Sequence, residues 1–159
     1  MEITLRLITK DDIETLRIWK NNHKEAFFYQ KEITPQTQKK WYRGYLGRNL
    51  NNEDFMYIVN YKDNDVGCIG YRIIDNQIDI YNVILGDDRF KGKHLIAQVT
   101  KQLCQFLRLS YNFDITAKVL INNYKALKWY LDNGWKDIST IDNYILLRYE
   151  GGNKGNEND

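Results

Sequence analysis

The sequence predicts an α/β fold on a mixed sheet, in the order β-α-α-β-β-β-α-β-α-β(-β). Three observations carry this. One N-terminal strand pattern is followed by two helical patterns. Three consecutive strand patterns with short turns between them make an antiparallel meander. A strand then runs through a basic loop into a long helix and a further strand, from about 77 to 121, which is a parallel crossover unit.

A length of 159 residues suits one domain. The chain is 43% hydrophobic and 28% charged, an ordinary globular balance that excludes disorder, collagen and coiled coil as global readings. No apolar run approaches the roughly 18 residues of a membrane helix. The start, Met1 to Arg6, lacks the basic-then-apolar order of a signal peptide. A net charge of +2 is too mild for a nucleic-acid binder, yet leaves room for one local anion site. Cys68 and Cys104 sit in apolar settings and read as free thiols of a cytoplasmic protein. With two histidines and two cysteines far apart, no metal site is expected. The 12 Tyr, 6 Phe and 4 Trp exceed the needs of a core this size, so some should line a pocket.

Met1–Ile8 alternates Ile3, Leu5 and Leu7 with polar residues, a half-buried strand. Thr9 fits a helix N-cap, with Asp11 and Asp12 in the first turn and Ile13, Leu16 and Trp19 on one face. That helix ends at Asn21-Asn22-His23. Thr34-Pro35 starts a second, with the chain's single proline at the first helical position and Trp41, Tyr42, Tyr45 and Leu46 as its apolar stripe. Asn49–Glu53 reads as a loop. Strands follow at Phe55–Tyr61, Val66–Asp75 and Gln77–Leu85, with turns at Lys62-Asp63-Asn64-Asp65 and Asp75-Asn76. Gly86 to Lys93 is the basic loop. Leu95, Ile96, Val99, Leu103, Phe106 and Leu107 mark the long helix. Phe113–Ile121 is a strand. Asn123–Asn133 is a helix closed by Gly134, and Ile138–Tyr149 supplies one or two last strands. The single domain is expected over 1–149, with a disordered tail over 150–159 rich in Gly and Asn.

Two stretches are able to carry chemistry. A loop entering a helix N-terminus exposes unpaired backbone N–H groups and the positive end of the helix dipole, a site for pyrophosphate. Arg89, Lys91 and Lys93 add charge there; the plain alternative is a solvated basic loop. The second stretch is Asn123-x-x-Ala126-x-x-x-Tyr130-x-x-x-Gly134-Trp135. Positions 123, 126/127 and 130 share a helical face, and a tyrosine at that spacing can also be core filling.

Together these two stretches resemble the GNAT family of N-acetyltransferases. The family's later helix reads Asn-x-x-Ala-x-x-x-Tyr-x-x-x-Gly-Phe, matched here with Trp135 for Phe. Its cofactor loop reads Arg/Gln-x-x-Gly-x-Gly/Ala. Here Phe90-Lys91-Gly92-Lys93 is similar to the common Tyr-Arg-Gly-Lys, with Lys91 at the Arg/Gln position and His94 and Ile96 where small residues usually stand. A register shifted by two uses Arg89 and Gly92. The resemblance spans nearly all of residues 3–149 and implies the acyl-CoA N-acyltransferase fold with acetyl-CoA as cofactor. It implies that the main chain of Ile84, Leu85 and Gly86 pairs with the pantetheine arm, an N–H near Leu85 polarising the thioester. It implies pyrophosphate at the N–H groups of Gly92, Lys93, His94, Leu95 and Ile96, and Asn123 on the cofactor arm.

The resemblance also implies direct attack by a primary amine, with Tyr130 as general acid. The family's acid on the strand before the loop makes Asp79 the base, with Tyr81 beside it by alternation; His23 is the other candidate, and surface roles for both remain open. Trp19, Asn22, His23 and Trp41 resemble the branch that acetylates amino sugars on nucleotide carriers, although two tryptophans on packed helices also read as core. That makes the partner a small-molecule amine acceptor, an amino-sugar nucleotide, with no nucleic acid and no membrane. A homodimer through the final strands is compatible with this reading. The alternatives are an acetyltransferase for a ribosomal or other protein N-terminus and a non-catalytic acetyl-CoA-binding module.

Overall fold

The computed structural model describes residues 2–28 and 30–151. Strand β1 (Ile3–Leu7) leads through a 3-10 turn, Lys10–Asp12, into α1 (Ile13–Asn21). Thr9 caps that turn, and Asp12 closes a capping box by accepting from the Thr9 N–H at 2.8 Å. Arg6 also donates to both oxygens of Asp12, which ties β1 to the helix start. Thr34 caps α2 (Pro35–Leu50), its hydroxyl accepting from the Thr37 N–H at 3.1 Å. Strands β2 (Asp54–Tyr61), β3 (Asn64–Ile74) and β4 (Gln77–Leu85) form the meander. Its turns are tight pairs, Lys62-Asp63 and Asp75-Asn76, all four residues at positive φ as the hairpin twist demands. Then come α3 (Leu95–Ser110), β5 (Ile115–Leu120), α4 (Tyr124–Asp132), β6 (Trp135–Ile141) and β7 (Tyr144–Tyr149).

The seven strands make one sheet in the order β1-β2-β3-β4-β5-β7-β6. Only β4 and β5 run parallel, so the expected mixed sheet and crossover unit are both present. The pleat sends Phe55, Tyr57 and Val59 to the face covered by α3, and Met56 and Ile58 to the face covered by α1 and α2. On the first face Val99, Leu103 and Leu107 meet Ile69, Ile78, Ala117 and Leu147. Each such fully buried aliphatic contributes about 2 kcal/mol. On the second, Leu16, Trp19 and Tyr45 meet Met56, Cys68 and Ile84.

Several boundaries move. The second helix continues to Leu50, which shortens the expected 49–53 loop to three residues. Leu46 is 43% exposed, and Gln38 takes the inward position instead, its amide donating to the Ile13 carbonyl at 3.1 Å. Strand β6 begins at Trp135, before the expected Ile138, because Gly134 at φ +89° turns α4 directly into the sheet. Glu150 and Gly151 donate to the Gly134 carbonyl at 2.9 and 3.0 Å, so order extends past 149. The rest of the expected tail, 152–159, lies outside the described residues, as do Met1 and Tyr29. Both cysteines are free and buried, and no described helix is long and apolar enough to cross a membrane.

The feature that makes the site is a short ladder. Strands β4 and β5 pair only over Ile78–Ile80 and Ile115–Ala117. Past Ile80, β4 carries an extra residue against β3: Asn82 sits at φ +50°, and the register shifts between Cys68 and Gly70. A bulge increases local twist and turns a strand from its neighbour. Strand β5 continues straight, held by β7 through Leu120. The wedge between them stays open.

Candidate active site

The open wedge is a cleft of about 1000 Å³. One wall is the end of β4 and the loop into α3; the other is β5 and α4; α1 and the segment after it close one end.

Strand alternation sorts the polar groups of the β4 wall. The Gly86 N–H is taken by the Val66 carbonyl at 2.8 Å, so Gly86 and Ile84 turn their main chain toward β3. Leu85 between them turns its N–H and C=O the other way, toward the cleft, where no described strand pairs with β4 beyond Ile80. Next, Asp87 binds Arg89 through its own side chain at 2.7 Å, so that arginine is spent within its loop. Gly92 stands at φ +83° and His94 at φ +58°, and the chain then enters α3. The first intrahelical bond is Gln98 N–H to the His94 carbonyl, which leaves the N–H groups of Leu95, Ile96 and Ala97 unpaired at the cleft. Lys91 lines the cleft from this side, and Lys118 and Lys125 from the other.

Tyr130 is placed by α4. The Asn123 side-chain oxygen caps that helix, accepting from the Ala126 N–H at 3.2 Å, and the helical spacing then aims 123, 126 and 130 at the cleft. The Tyr130 ring stands edge-on to Trp129 at 4.9 Å and Trp135 at 5.2 Å. Burial pushes its hydroxyl above the ordinary tyrosine range, and the charge of Asp79 pushes the same way, so it keeps its proton.

Opposite, Asp79 is 5% exposed and holds Arg72 at 2.6 Å. The same guanidinium lies over the Tyr81 ring at 4.0 Å. Tyr81 donates to Asp54, whose other oxygen receives Arg48 at 3.0 Å; burial and the Asp54 charge push the Tyr81 hydroxyl well up. His23 puts Nδ1 2.8 Å from the Trp19 carbonyl. A carbonyl only accepts, so Nδ1 carries the proton and Nε2 is left for the cleft. Lys20 lines the same end, 4.8 Å from the Phe27 ring centroid; burial lowers its ammonium pKa, and Arg72 adds to that.

The cleft therefore gathers Asp79, Tyr81, Ile84, Leu85, Lys91, Gly92, His94, Leu95, Ile96, Asn123 and Tyr130, with His23 and Trp41 at the acceptor end. Four expected residues do not line it. Trp19 is core: its indole lies flat against Gly86, where any Cβ would overlap it. Asn22 is exposed at the end of α1, and Asn21 turns inward instead to clamp the Ile33 main chain at 2.8 and 3.0 Å. Gly86 has given its N–H to β3, and Lys93 is exposed outside the lining. Asn123 faces the cleft, but its oxygen is occupied by the cap. The sequence reading missed Lys20, Arg72, Asn82 and Lys118. A lone asparagine amid aliphatic strand residues was the available signal for the bulge at Asn82.

The description "Acetyltransferase (GNAT) domain" matches residues 2–136. Among solved structures, FdhC, described as a nucleotide-linked sugar GNAT, superposes with a TM-score of 0.78 at 23% identity, over 99% of this chain and 90% of its own. RimL, a ribosomal alpha-N-protein acetyltransferase in complex with coenzyme A, gives 0.77 at 11% identity, over 93% of each chain. A spermidine N-acetyltransferase from Vibrio cholerae, in complex with CoA and spermine, gives 0.70 at 16% identity, over 92% of each. No curated protein sequence matches the chain significantly. The structural likenesses establish the fold, and the family match over most of the sequence completes it: the chain belongs to the GNAT family of acetyltransferases and is an N-acetyltransferase.

Proposed function

We propose that this protein transfers the acetyl group of acetyl-CoA to the amine of an amino sugar on a nucleotide carrier. Acetyl-CoA is the cosubstrate. The observation that carries the mechanism is the Leu85 N–H, turned into the unpaired side of β4 across the cleft from Tyr130. A fixed N–H there meets the negative charge that develops on the thioester oxygen. The unpaired N–H groups of Leu95 to Ala97, with Lys91, suit the pyrophosphate. His94 supplies the left-handed backbone that glycine commonly supplies at such a turn.

In the proposed step the amine nitrogen bonds to the acetyl carbon and the carbon–sulfur bond breaks. Asp79 takes the amine proton, and Tyr130 donates its proton to the departing sulfur. One observation favours a second base: a carboxylate oxygen of Asp79 is occupied by Arg72, whereas Nε2 of His23 has no partner among the described residues. The aromatic lining of the acceptor end, Trp41, Phe27, Phe28 and Tyr81, supports a sugar over a peptide in an open groove, as does the likeness to FdhC. The outer edge of β6, unpaired among the described residues, is where a second copy would add to the sheet. The domain is proposed to end where Gly151 ties back to Gly134. Tyr130→Phe tests the mechanism. It should lower kcat about 100-fold and leave the acetyl-CoA affinity within twofold; unchanged turnover would remove Tyr130 as the acid and favour a binding module.

A further inference from the structure

The acceptor end of the cleft has a charge pattern that the reading above does not use. Lys20 reaches it from the last turn of α1 and forms no ion pair among the described residues, its ammonium lying beside the Phe27 ring. Arg72 stands behind it with one nitrogen on Asp79, while its buried Nε has no hydrogen-bond partner among the described residues. The acids around them are committed. Asp79 holds Arg72, Asp54 holds Arg48 and Tyr81, and Asp132 holds Lys128 at 2.6 Å. Glu25 and Asp88 also line the cleft, but both are exposed and solvated. Next to Lys20 an apolar side pocket of about 240 Å³ opens between α1, α2 and the sheet, lined by Leu16, Ile33, Trp41 and Met56. Among the described residues, Arg72 thus takes the one buried carboxylate at this end and Lys20 has none, on a partly apolar floor where a charge interaction is stronger than in water.

We propose that Lys20, backed by Arg72, is an anion anchor for the acceptor, which is therefore an amine bearing a phosphate or carboxylate, not an uncharged amine or a polycation. This rests on the transferase reading. A polyamine would meet unneutralised positive charge here, and it would need free carboxylates the floor does not offer. An anion would restore the balance around Lys20, whose burial otherwise works against its charge.

The test is calorimetric titration of the coenzyme A-saturated protein with inorganic pyrophosphate and, separately, with malonate. Coenzyme A occupies the helix N-terminus of α3, so remaining anion binding reports the acceptor end. The expected result is 1:1 binding of at least one anion, weakened about tenfold or more in Lys20→Met, the cost of one charged contact, and recovered in Lys20→Arg. Coenzyme A affinity should stay within about twofold in both variants, which shows that they fold. Binding of pyrophosphate alone assigns the site to a phosphate acceptor, and binding of malonate alone to a carboxylate acceptor. No anion binding in the saturated wild type, or equal binding in Lys20→Met, overturns the proposal. Failure of coenzyme A to bind would break the transferase reading instead, and the same comparison then runs on the unloaded protein.

Discussion

Arg72 joins Asp79 by an ion pair of 2.6 Å while its guanidinium face lies 4.0 Å from the Tyr81 ring. One side chain thereby orients Asp79 and Tyr81, two polar residues of β4 that line the cleft, and it does so from the neighbouring strand. If Asp79 is the base, Asp79→Asn keeps the shape and loses the proton acceptor. The expected effect is a fall in kcat of about 100-fold, with acetyl-CoA affinity retained. Steady-state kinetics beside His23→Ala decides the base: a full loss in the histidine variant with Asp79→Asn near wild type assigns the proton to His23.

Trp19 and Gly86 form a second pair, behind the cleft. A methyl group at position 86 meets the indole and must displace it. Gly86→Ala should therefore destabilise by about 1–3 kcal/mol through overpacking, and Trp19→Ala by about 3–5 kcal/mol through the cavity it leaves. Urea denaturation measures both. A neutral Gly86→Ala would mean that the indole does not rest on that backbone.

His94 holds a left-handed conformation that costs a non-glycine residue about 1 kcal/mol. His94→Gly should be neutral to stabilising by up to about 1 kcal/mol, while His94→Val, branched at Cβ, should be destabilising. Thermal melts rank the three. Equal melting points for wild type and His94→Val would contradict the assigned conformation.

Burial pushes the hydroxyls of Tyr71, Tyr81 and Tyr130 above the ordinary range. In the unfolded chain they ionise near pH about 10, while in the fold they resist ionisation. Their contribution is complete below that pH and is lost as the pH climbs past it. The urea midpoint should be level from pH 7 to 9 and fall above about 10, less steeply in Tyr130→Phe. A level midpoint through pH 11 would show these phenols to be solvated.

Much of the architecture was legible because it rests on local signals. Thr9, Thr34 and Gly134 mark helix ends by chemistry that needs no tertiary context, and the turn residues at 62–65 and 75–76 separate the three strands of the meander. What was not legible depends on partners distant in sequence. Trp19 has the spacing of a pocket residue and of a core residue alike, and only the close approach of Gly86, 67 positions later, decides between them. Asn123 belongs to the family motif, yet its oxygen is consumed by a helix cap. Lys20 and Arg72 carry no local signal of a site; only the fold brings them to the cleft.

The wedge between β4 and β5 is the proposed seat of acetyl-CoA. Isothermal titration of the purified protein with acetyl-CoA, with coenzyme A as control, tests it directly. Both should bind 1:1, more weakly when Lys91 is neutralised. No binding at millimolar cosubstrate would contradict it.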